Sequence, residues 1–341
     1  MNNQPLVSII IVNWNGGEVF AECLNSLKKI DYHNWELIVV DNGSSDKSED
    51  LIYFYKPTKK IKIIKNKQNK GFAQANNQGF VKAQGEYILL LNNDTKVEAN
   101  FLSLLVNRIK KDSTLGVIQP KISLMDKSDY LDNVGSFLTK TGFLEHWGYM
   151  EHDGSKFNKE KEIFSAKGAC MLCRRNVIEK VGLFDESFVS YMEETDFCWR
   201  VWISGYKVLF YPKARIFHKV GFSSKKQDQI FVNYNSYKNR LICLIKNLQF
   251  ENLFYISICH FTLSIFLICY YLLKFQFSKA QMILGAIWWN LVNFKKTFSK
   301  RKKIQVLRKV KDKELFPIIM RPINLKAMFS HFAKIEANYK K

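Results

Sequence analysis

The sequence predicts an α/β protein built on an open, mostly parallel but mixed β-sheet with helices on both faces. In residues 1–95, short apolar runs alternate with segments of helical periodicity, which is typical of doubly wound sheets. The apolar runs are continuous, as expected of strands that are covered on both faces. A third observation is the uncharged stretch 253–273, which is followed by basic residues and predicts a C-terminal helical region associated with a membrane.

The first half predicts four strands, over 6–12, 36–41, 61–66 and 87–91, separated by helices over about 18–29, 43–55 and 71–84. The second of these helices is expected to begin after a turn, with Ser44 or Ser45 as its N-cap. Residues 96–230 predict a mixed second half with a helix near 98–111, and a further helix follows at 228–249. We therefore expect one domain over 1–245, in two halves that meet near residue 95, and a C-terminal region over 246–341.

The charge is concentrated at the C-terminal end of the chain. The 341 residues hold 52 lysines and arginines against 31 acidic residues, a formal charge of +21. Residues 295–341 alone hold 15 basic and three acidic residues. A basic segment beside apolar ones indicates a membrane surface with anionic lipids rather than nucleic acid, and the common nucleic-acid-binding patterns are absent from the sequence. A solvated basic tail without a partner remains the alternative.

Two apolar segments precede this basic tail. The stretch 253–273 is long enough to cross a bilayer, whereas 282–294 is too short. A single crossing would place the basic tail outside, against the positive-inside tendency. A re-entrant or in-plane helical pair, anchored by Trp288, Trp289 and the basic tail, resolves this conflict. A single membrane pass and two helices buried in a soluble core are the alternatives.

The seven cysteines are scattered and odd in number, which favours a reducing compartment over a disulfide framework. Cys170 and Cys173 form an isolated CxxC within an apolar run, so we expect buried thiols and not a zinc or redox site. The first apolar run is also too short for a signal peptide.

Polar side chains follow the predicted strands at the edge where parallel strands end, and ligands bind at that edge in open α/β sheets. They are Asn13, Asp41, Asn66 and the segment 92–94. Asp94 is placed either to bind a hard divalent cation or to cap the next helix. Asp41 is placed either to accept hydrogen bonds from a ribose or base, or to form a turn before Gly43. Neither GxGxxG nor a P-loop occurs in the sequence.

The segment 191–200 concentrates acidic residues beside aromatic ones. Glu193, Glu194 and Asp196 crowd within four residues, and crowding and burial both raise a carboxyl pKa, so one of them can serve as a general base. The alternative is an acidic first helical turn completed by Arg200. His218 follows a predicted strand and is either a neutral imidazole ligand or a structural histidine.

These segments together resemble the family 2 glycosyltransferases with the GT-A fold, in the branch usually described as rhamnosyltransferase-like. The resemblance covers residues 5–245 and rests on segments that occur in the family's order: VSIIIVNWNGG, VVDNGSSD, NKGFAQANNQG, LLLNND, GACMLCRRNVIEKVGLFDESF, YMEETDFCWR and HxxGxS. It implies a nucleotide-binding half over 1–95 and an acceptor half over 96–245.

The resemblance also implies roles for individual residues. Asp94 would bind a divalent metal, Mn²⁺ or Mg²⁺, with His218 as a second ligand. Glu194, Glu193 or Asp196 would be the base, and Trp199 and Arg200 would contact the acceptor. Asn92 stands where the family has the first aspartate of its DxD motif. Donor binding would fall to Asn13, Asn15, Asp41, Asn69, Gly71, Phe72, Asn76, Asn92 and Asn93.

The activity that the resemblance implies is inverting transfer from a nucleotide-sugar donor to a lipid-linked saccharide acceptor. It would serve bacterial surface polysaccharide synthesis at the cytoplasmic face of the plasma membrane. Two alternatives stand beside it. A sugar nucleotidyltransferase shares the sheet and the acidic site, but the segment 13–17 lacks the basic residue of that class. A non-catalytic membrane-binding module would need none of the acidic residues.

Overall fold

The computed structural model describes residues 4–48, 50–54, 61–222 and 228–322. The first half alternates strands and helices: β1 Val7–Asn13, α1 Gly17–Leu27, β2 Trp35–Asp41, α2 Asp50–Phe54, β3 Ile61–Lys65, α3 Phe72–Lys82 and β4 Tyr87–Leu91. Each strand lies within one residue of its predicted position. The segment 323–341, which holds part of the basic tail, lies outside the described residues.

The second half adds two long strands, several short ones and three α-helices. They are β5 Thr95–Val97, α4 Phe101–Lys110, β6 Leu115–Leu124, β7 Leu131–Asn133, β8 Ser136–Thr139, β9 Leu144–His146, β10 Lys161–Glu162, β11 Cys170–Arg174, α5 Arg175–Val181, α6 Glu193–Ile203 and β12 Lys207–His218. The C-terminal part holds α7 Gln229–Asn247, α8 Phe250–Leu273, α9 Phe277–Val292, α10 Phe294–Val306, α11 Asp312–Ile319 and β13 Met320–Arg321.

The main sheet has the strand order β10-β12-β6-β11-β4-β1-β2-β3, with β5 and β7 paired outside this path. Strands β4, β1, β2 and β3 are parallel, and β11 runs antiparallel between β4 and β6. This arrangement confirms the predicted mixed sheet. The register pairs Asn13 with Asp41 and Leu91 with Cys170. The ends of β1, β2 and β4 and the start of β11 therefore meet at one edge.

Helices cover both faces of the sheet, so the strands are buried on both sides. In β1, Ile9 and Ile11 point to one layer, where they pack with residues of α1 and α4. Ile10 points to the other layer, which holds residues of α3, α5, α6 and α7. Successive side chains of a strand face opposite sides, which explains why continuous apolar runs are required here.

One helix of the first half begins later than predicted. Ser44 and Ser45 lie in the loop after β2, and α2 begins only at Asp50. The Ser44 hydroxyl donates to Asp41, and the Ser45 amide donates to the side chain of Asn15. Since both serines bind the neighbouring strand-end residues, neither caps the helix.

The C-terminal helices belong to the same core as the sheet. Residue 246, where the sequence placed the start of a separate region, falls inside α7. Leu248, Ile256, Ile304 and Ile319 are buried in the layer that also contains α6. Domain and appendage are therefore packed as one unit along α7.

Helix α8 meets the length and apolarity needed to cross a membrane, and only 17% of its most apolar window is buried. Its buried residues are Ile256, His260 and Ser264. Among the residues that the structure describes, no other helix passes the same test. Helix α8 is therefore not buried in the core of this chain. In α9, Trp288 is exposed, whereas Trp289 packs against the core.

Candidate active site

The ends of β1, β2 and β4 carry a buried network of amide and carboxyl groups. Asp41 Oδ1 accepts hydrogen bonds from Asn13 Nδ2 at 3.1 Å and from the Ser44 hydroxyl at 2.6 Å. Asn93 Nδ2 donates to Asn13 Oδ1 at 2.9 Å. A Cβ at Gly16 would lie 2.4 Å from that same oxygen, so only glycine lets the chain pass over the network. The predicted strand-end residues are thus brought together.

A second network shapes the loop before α3. Asn69 Oδ1 accepts from Asn42 Nδ2 at 2.8 Å and from the Gly71 amide at 2.9 Å. Gly71 has φ +82, and a Cβ there would lie 2.6 Å from the carbonyl oxygen of Val189. The loop therefore needs glycine at this position both for its left-handed backbone and for space.

The remaining predicted donor residues lie around these two networks. Asn15, with φ 51, accepts the Ser45 amide at 2.7 Å. Phe72 packs against Phe184 with ring centroids 5.9 Å apart, and Asn76 Nδ2 donates to the Phe72 carbonyl. The main chain of Asn92 bonds to Ala169.

Asp94 and His218 lie side by side, as the sequence predicts. His218 Nε2 is 3.1 Å from Asp94 Oδ1, and both residues are buried. The other ring nitrogen, Nδ1, lies 2.8 Å from Asp132 Oδ2. Lys167 Nζ in turn donates to both Asp132 oxygens, at 2.6 and 2.7 Å. Four charged side chains thus form one chain that ends at Asp94.

Charge controls protonation along this chain. Burial lowers the pKa of His218, but the carboxylates of Asp94 and Asp132 outweigh it and raise the pKa to about 9. Burial raises the pKa of Asp132, but Lys167 and His218 outweigh it and hold that pKa far below its usual range. Asp132 is therefore an ionised carboxylate fixed behind His218.

This arrangement fits the donor set of a divalent cation. Asp94 Oδ1 is buried and faces His218 Nε2 at 3.1 Å, so a cation bound between them would compensate the carboxylate in place of the imidazole proton. An imidazole that ligates a metal commonly directs its other ring nitrogen to a carboxylate, as His218 does toward Asp132. No group of three or more His, Cys, Asp or Glu side chains suited to a metal occurs in the described part of the chain. Asp94 and His218 would therefore need further ligands from a substrate.

Glu193 and Glu194 begin α6 beside this edge. Burial and the charge of Glu194 raise the pKa of Glu193 well above its usual range. Burial also raises the pKa of Glu194, although backbone hydrogen bonds and Lys167 oppose that shift. One carboxyl oxygen of each residue is buried without a hydrogen-bond partner. A Cβ at Gly168 would lie 3.5 Å from the Phe72 ring and 3.9 Å from Glu194 Cβ, so both residues lie next to the loop before β11.

Three other predicted site residues lie in the core instead. Both oxygens of Asp196 are bound, by Arg200 and Lys246 at 2.9 Å and by Asn247 at 2.8 Å. The Arg200 guanidinium also donates to backbone carbonyls of 181–183. Trp199 is buried edge-on against Phe164, with ring centroids 5.0 Å apart. Burial leaves neither Trp199 nor Arg200 accessible to an acceptor, and Asp196 has no free oxygen to serve as a base.

Asp132 and Lys167 were missed by the sequence prediction. Asp132 lies on the three-residue strand β7, inside a stretch that has no strong periodicity, and Lys167 lies in the loop before β11. The sequence signal that could have found them is a charged residue among apolar ones. Asp132 follows Leu131, and Lys167 lies between Ala166 and Gly168.

A family model described as "Glycosyl transferase family 2" matches residues 8–182, which is just over half of the chain. Among curated proteins, the poly-beta-1,6-N-acetyl-D-glucosamine synthase of Staphylococcus epidermidis is 24% identical over 208 residues. The same enzyme of Staphylococcus aureus is 23% identical over 208 residues. In both cases the match covers 61% of this chain and 48% of the relative, so the chain spans about half the length of the curated relatives it matches.

Three solved structures share the fold at low sequence identity. GalNAc-T7 with UDP, GalNAc and Mn²⁺ has a TM-score of 0.60 and 18% identity, covering 74% of this chain and 49% of that one. S. aureus TarS 1–349 with UDP-GlcNAc has a TM-score of 0.52 and 16% identity, covering 72% and 69%. A Pyrobaculum calidifontis mannosyltransferase with GDP-Man and Mn²⁺ has a TM-score of 0.52 and 14% identity, covering 99% and 83%. None of these names is that of a rhamnosyltransferase, so the comparisons do not support the rhamnosyl subtype.

Proposed function

The chain belongs to glycosyl transferase family 2, and from that membership we propose that it inverts the anomeric carbon of a nucleotide sugar during transfer to a saccharide acceptor. The observation that carries the proposal is the convergence of two carboxylates at one edge of the sheet. Asp94 follows the end of β4, and Glu194, in the first turn of α6, lies next to Gly168 just before β11. A sugar nucleotidyltransferase is not supported by the family match.

The donor nucleotide would bind along the networks at the ends of β1 and β2. Asp41 Oδ2 accepts the Ser44 amide at 3.2 Å. The fold relatives are solved with UDP or with UDP- and GDP-linked sugars. We assign base and ribose recognition to Asp41, with Asn13 holding its carboxylate and Asn93 holding Asn13. The loop of Asn69, Gly71 and Phe72 would lie beside the diphosphate.

Asp94 and His218 would hold a divalent cation, Mn²⁺ or Mg²⁺, together with diphosphate oxygens. Two of the fold relatives are solved with Mn²⁺. A cation there neutralises the charge that develops on a departing nucleoside diphosphate. Asp132 keeps the imidazole oriented, and Lys167 keeps Asp132 ionised.

Glu194 would be the general base. Its raised pKa places proton acceptance closer to neutral pH, where a base works best. Glu194 would accept the proton of an acceptor hydroxyl, whose oxygen then bonds to the anomeric carbon while the bond to the diphosphate breaks on the opposite side. One displacement of this kind inverts the configuration. The pKa of Glu193 is raised more strongly than that of Glu194, and Glu193 is the alternative base.

The acceptor would be lipid-linked, and the site would lie at a membrane surface. The exposed apolar side chains of α8 and α9 support this part of the proposal, since a patch of that extent on a monomer marks an interaction surface. We assign the protein to the cytoplasmic face of the plasma membrane in surface polysaccharide synthesis, where nucleotide sugars are available.

The test is release of nucleoside diphosphate from UDP-GlcNAc, GDP-mannose and a nucleoside-diphosphate rhamnose, with membrane lipid extract as acceptor. We expect release from one donor, dependent on Mn²⁺ or Mg²⁺. Asp94→Asn and Glu194→Gln should each lower it about 10²- to 10⁴-fold. Glu179→Gln, an exposed glutamate on α5, is the matched control and should leave it unchanged.

Metal binding is measured separately, by the electron paramagnetic resonance of Mn²⁺ in the presence of UDP. Asp132→Asn should weaken binding about 10- to 100-fold, because the imidazole loses its orienting carboxylate. Absence of release from every donor, or full release by Asp94→Asn and Glu194→Gln, would overturn the proposal.

A further inference from the structure

The turn over 188–192 leads directly into the two glutamates of the active site. Three of its non-glycine residues have left-handed backbones: Val189 at φ 64, Tyr191 at φ 72 and Met192 at φ 70. Side chains of L-residues disfavour this region, and such conformations persist only where surrounding contacts hold them. The turn therefore depends on neighbours for its shape, and so does the direction in which α6 presents Glu193 and Glu194.

Asn239 of α7 supplies those contacts. Its Nδ2 lies within hydrogen-bond distance of three carbonyl oxygens of the turn: Phe188 at 3.0 Å, Ser190 at 2.9 Å and Tyr191 at 2.8 Å. Asn239 is completely buried. The amide has two N–H donors and shares them among these carbonyls, of which that of Phe188 also accepts the Ser190 amide at 2.7 Å. One side chain thus ties three backbone groups of the turn to α7.

The same face of α7 holds both ends of the turn. Residues 239, 243 and 246 follow the i, i+4, i+7 spacing and are all buried. Cys243 Sγ lies 3.7 Å from the Met192 carbonyl oxygen, and Lys246 Nζ lies 2.7 Å from Asp185 Oδ2. Asp185 caps the short helical turn before Phe188 through the Ser187 amide.

The opposite side of the turn contacts the donor half. The Val189 carbonyl accepts the Ala73 amide at 3.1 Å, and Gly71 has room only because it lacks a Cβ facing Val189. The turn is therefore held between the start of α3 and α7. A shift of its backbone would move the base relative to the donor loop.

We propose that Asn239 is a positioning residue for the transfer reaction. Its amide holds the left-handed turn in the one backbone arrangement that directs Glu194 toward the donor loop. This inference rests on the proposed function for its kinetic consequence. Asn239 contacts neither the substrate nor the reacting atoms, so its substitution changes the rate of the chemical step and not donor binding.

The test compares Asn239→Ala with Asn235→Ala, a buried asparagine one turn earlier on α7 whose side chain bonds to Phe231 and Lys238 of the same helix. Displacement of a reacting group by about 1 Å costs about 10²-fold in rate. We expect Asn239→Ala to lower kcat by about that factor with the donor KM within about threefold of wild type. The similarly sized Asn239→Leu lacks the N–H donors without leaving a large cavity or burying a charge, and it should show the same loss.

Thermal unfolding and hydrogen exchange of 186–196 complete the comparison. The backbone amides of 186–196 should exchange faster in Asn239→Ala than in Asn235→Ala, while the two variants have similar Tm values. Equal kcat and equal exchange in the two alanine variants would overturn the proposal, as would a loss confined to KM. If wild type turns over no donor, the proposed function fails, while the exchange measurement still decides whether Asn239 holds the turn.

Discussion

At the scale of single residues, the buried carboxylates on β7 and in the first turn of α6 differ in what compensates their charge. Asp132 and Asp196 each accept hydrogen bonds from cationic side chains, and both have lowered pKa values once those cations outweigh burial. Glu193 has no such partner, and burial together with Glu194 raises its pKa. An ionised Glu193 is therefore unfavourable in the folded protein, and its pH dependence has the opposite sign to that of a paired carboxylate.

This sign makes a stability prediction. In the pH range between the ordinary glutamate pKa of about 4.3 and the raised folded pKa, the folded state binds more protons than the unfolded state. The free energy of unfolding therefore falls as pH rises through that range. Glu193→Gln removes the penalty, so its Tm should exceed that of wild type by at least about 2 °C at pH 7.5. At pH 4 and below the difference should vanish; a gain of the same size at both pH values would contradict this account.

Residues that lie at strand ends were predictable from the sequence, whereas their partners were not. Asn13, Asp41 and Asp94 follow strong apolar strands, and parallel strands bring such ends together. Asp132 lies on a strand too short to show a period, and it meets His218 only because β7 pairs with the end of β6. The sequence placed Trp199 and Arg200 at the acceptor, whereas the structure buries both. An acidic first turn has the same sequence pattern whether the rest of α6 faces a ligand or the core.

At the scale of elements, α8 and α9 form an apolar hairpin whose outer face is exposed. In α8 this face includes Phe254, Ile258 and Ile265, and in α9 it includes Trp288. Four lysines of α10 are exposed beside it, at positions 295, 296, 302 and 303. An apolar face flanked by cations is suited to the surface of an anionic bilayer. Sequence alone predicted the two segments but could not decide which side faces the core, since both helices are apolar almost all round.

We predict that replacing both Ile258 and Ile265 by Glu weakens flotation with phosphatidylserine-containing vesicles at least about tenfold, since each loses apolar burial worth about 1.5–3 kcal/mol. Higher salt should weaken the flotation of the wild-type protein, because salt screens the attraction between the lysines and the anionic lipids. Val81→Glu, which changes an exposed apolar residue of α3, is the matched control. Unchanged flotation of the double variant would contradict docking by this face.

At the scale of the whole molecule, the C-terminal helices complete the core of the catalytic domain. Arg301 of α10 donates to the carbonyls of Ile245 and Leu248 at the end of α7. Asp312 accepts the Gln249 amide at 2.7 Å. The predicted boundary at residue 245 followed a change in composition, but composition does not report which surfaces pack together.

A chain that ends at Leu248 should therefore be insoluble or strongly destabilised, because Ile256, Ile304 and Ile319 no longer cover the layer around α6. A chain that ends at Pro322 keeps every contact described above and should stay folded. The measurement is the soluble fraction on expression, followed by thermal unfolding of whatever is soluble. A cooperative unfolding transition for the shorter chain at the Tm of the longer one would contradict the shared core.

The antiparallel strand β11 has one further consequence. Because it runs against both neighbours, the excursion 125–169 leaves β6 and returns into β11 at the same edge of the sheet. That excursion supplies Asp132 and Lys167, while the ends of β1, β2 and β4 supply the network of Asn13, Asp41 and Asn93. The excursion carries β7, β8, β9 and β10, and it adds β7 and β10 to the main sheet beside β6 and β12. A change in this excursion therefore acts on the surroundings of His218, while the order of β1 to β4 stays the same.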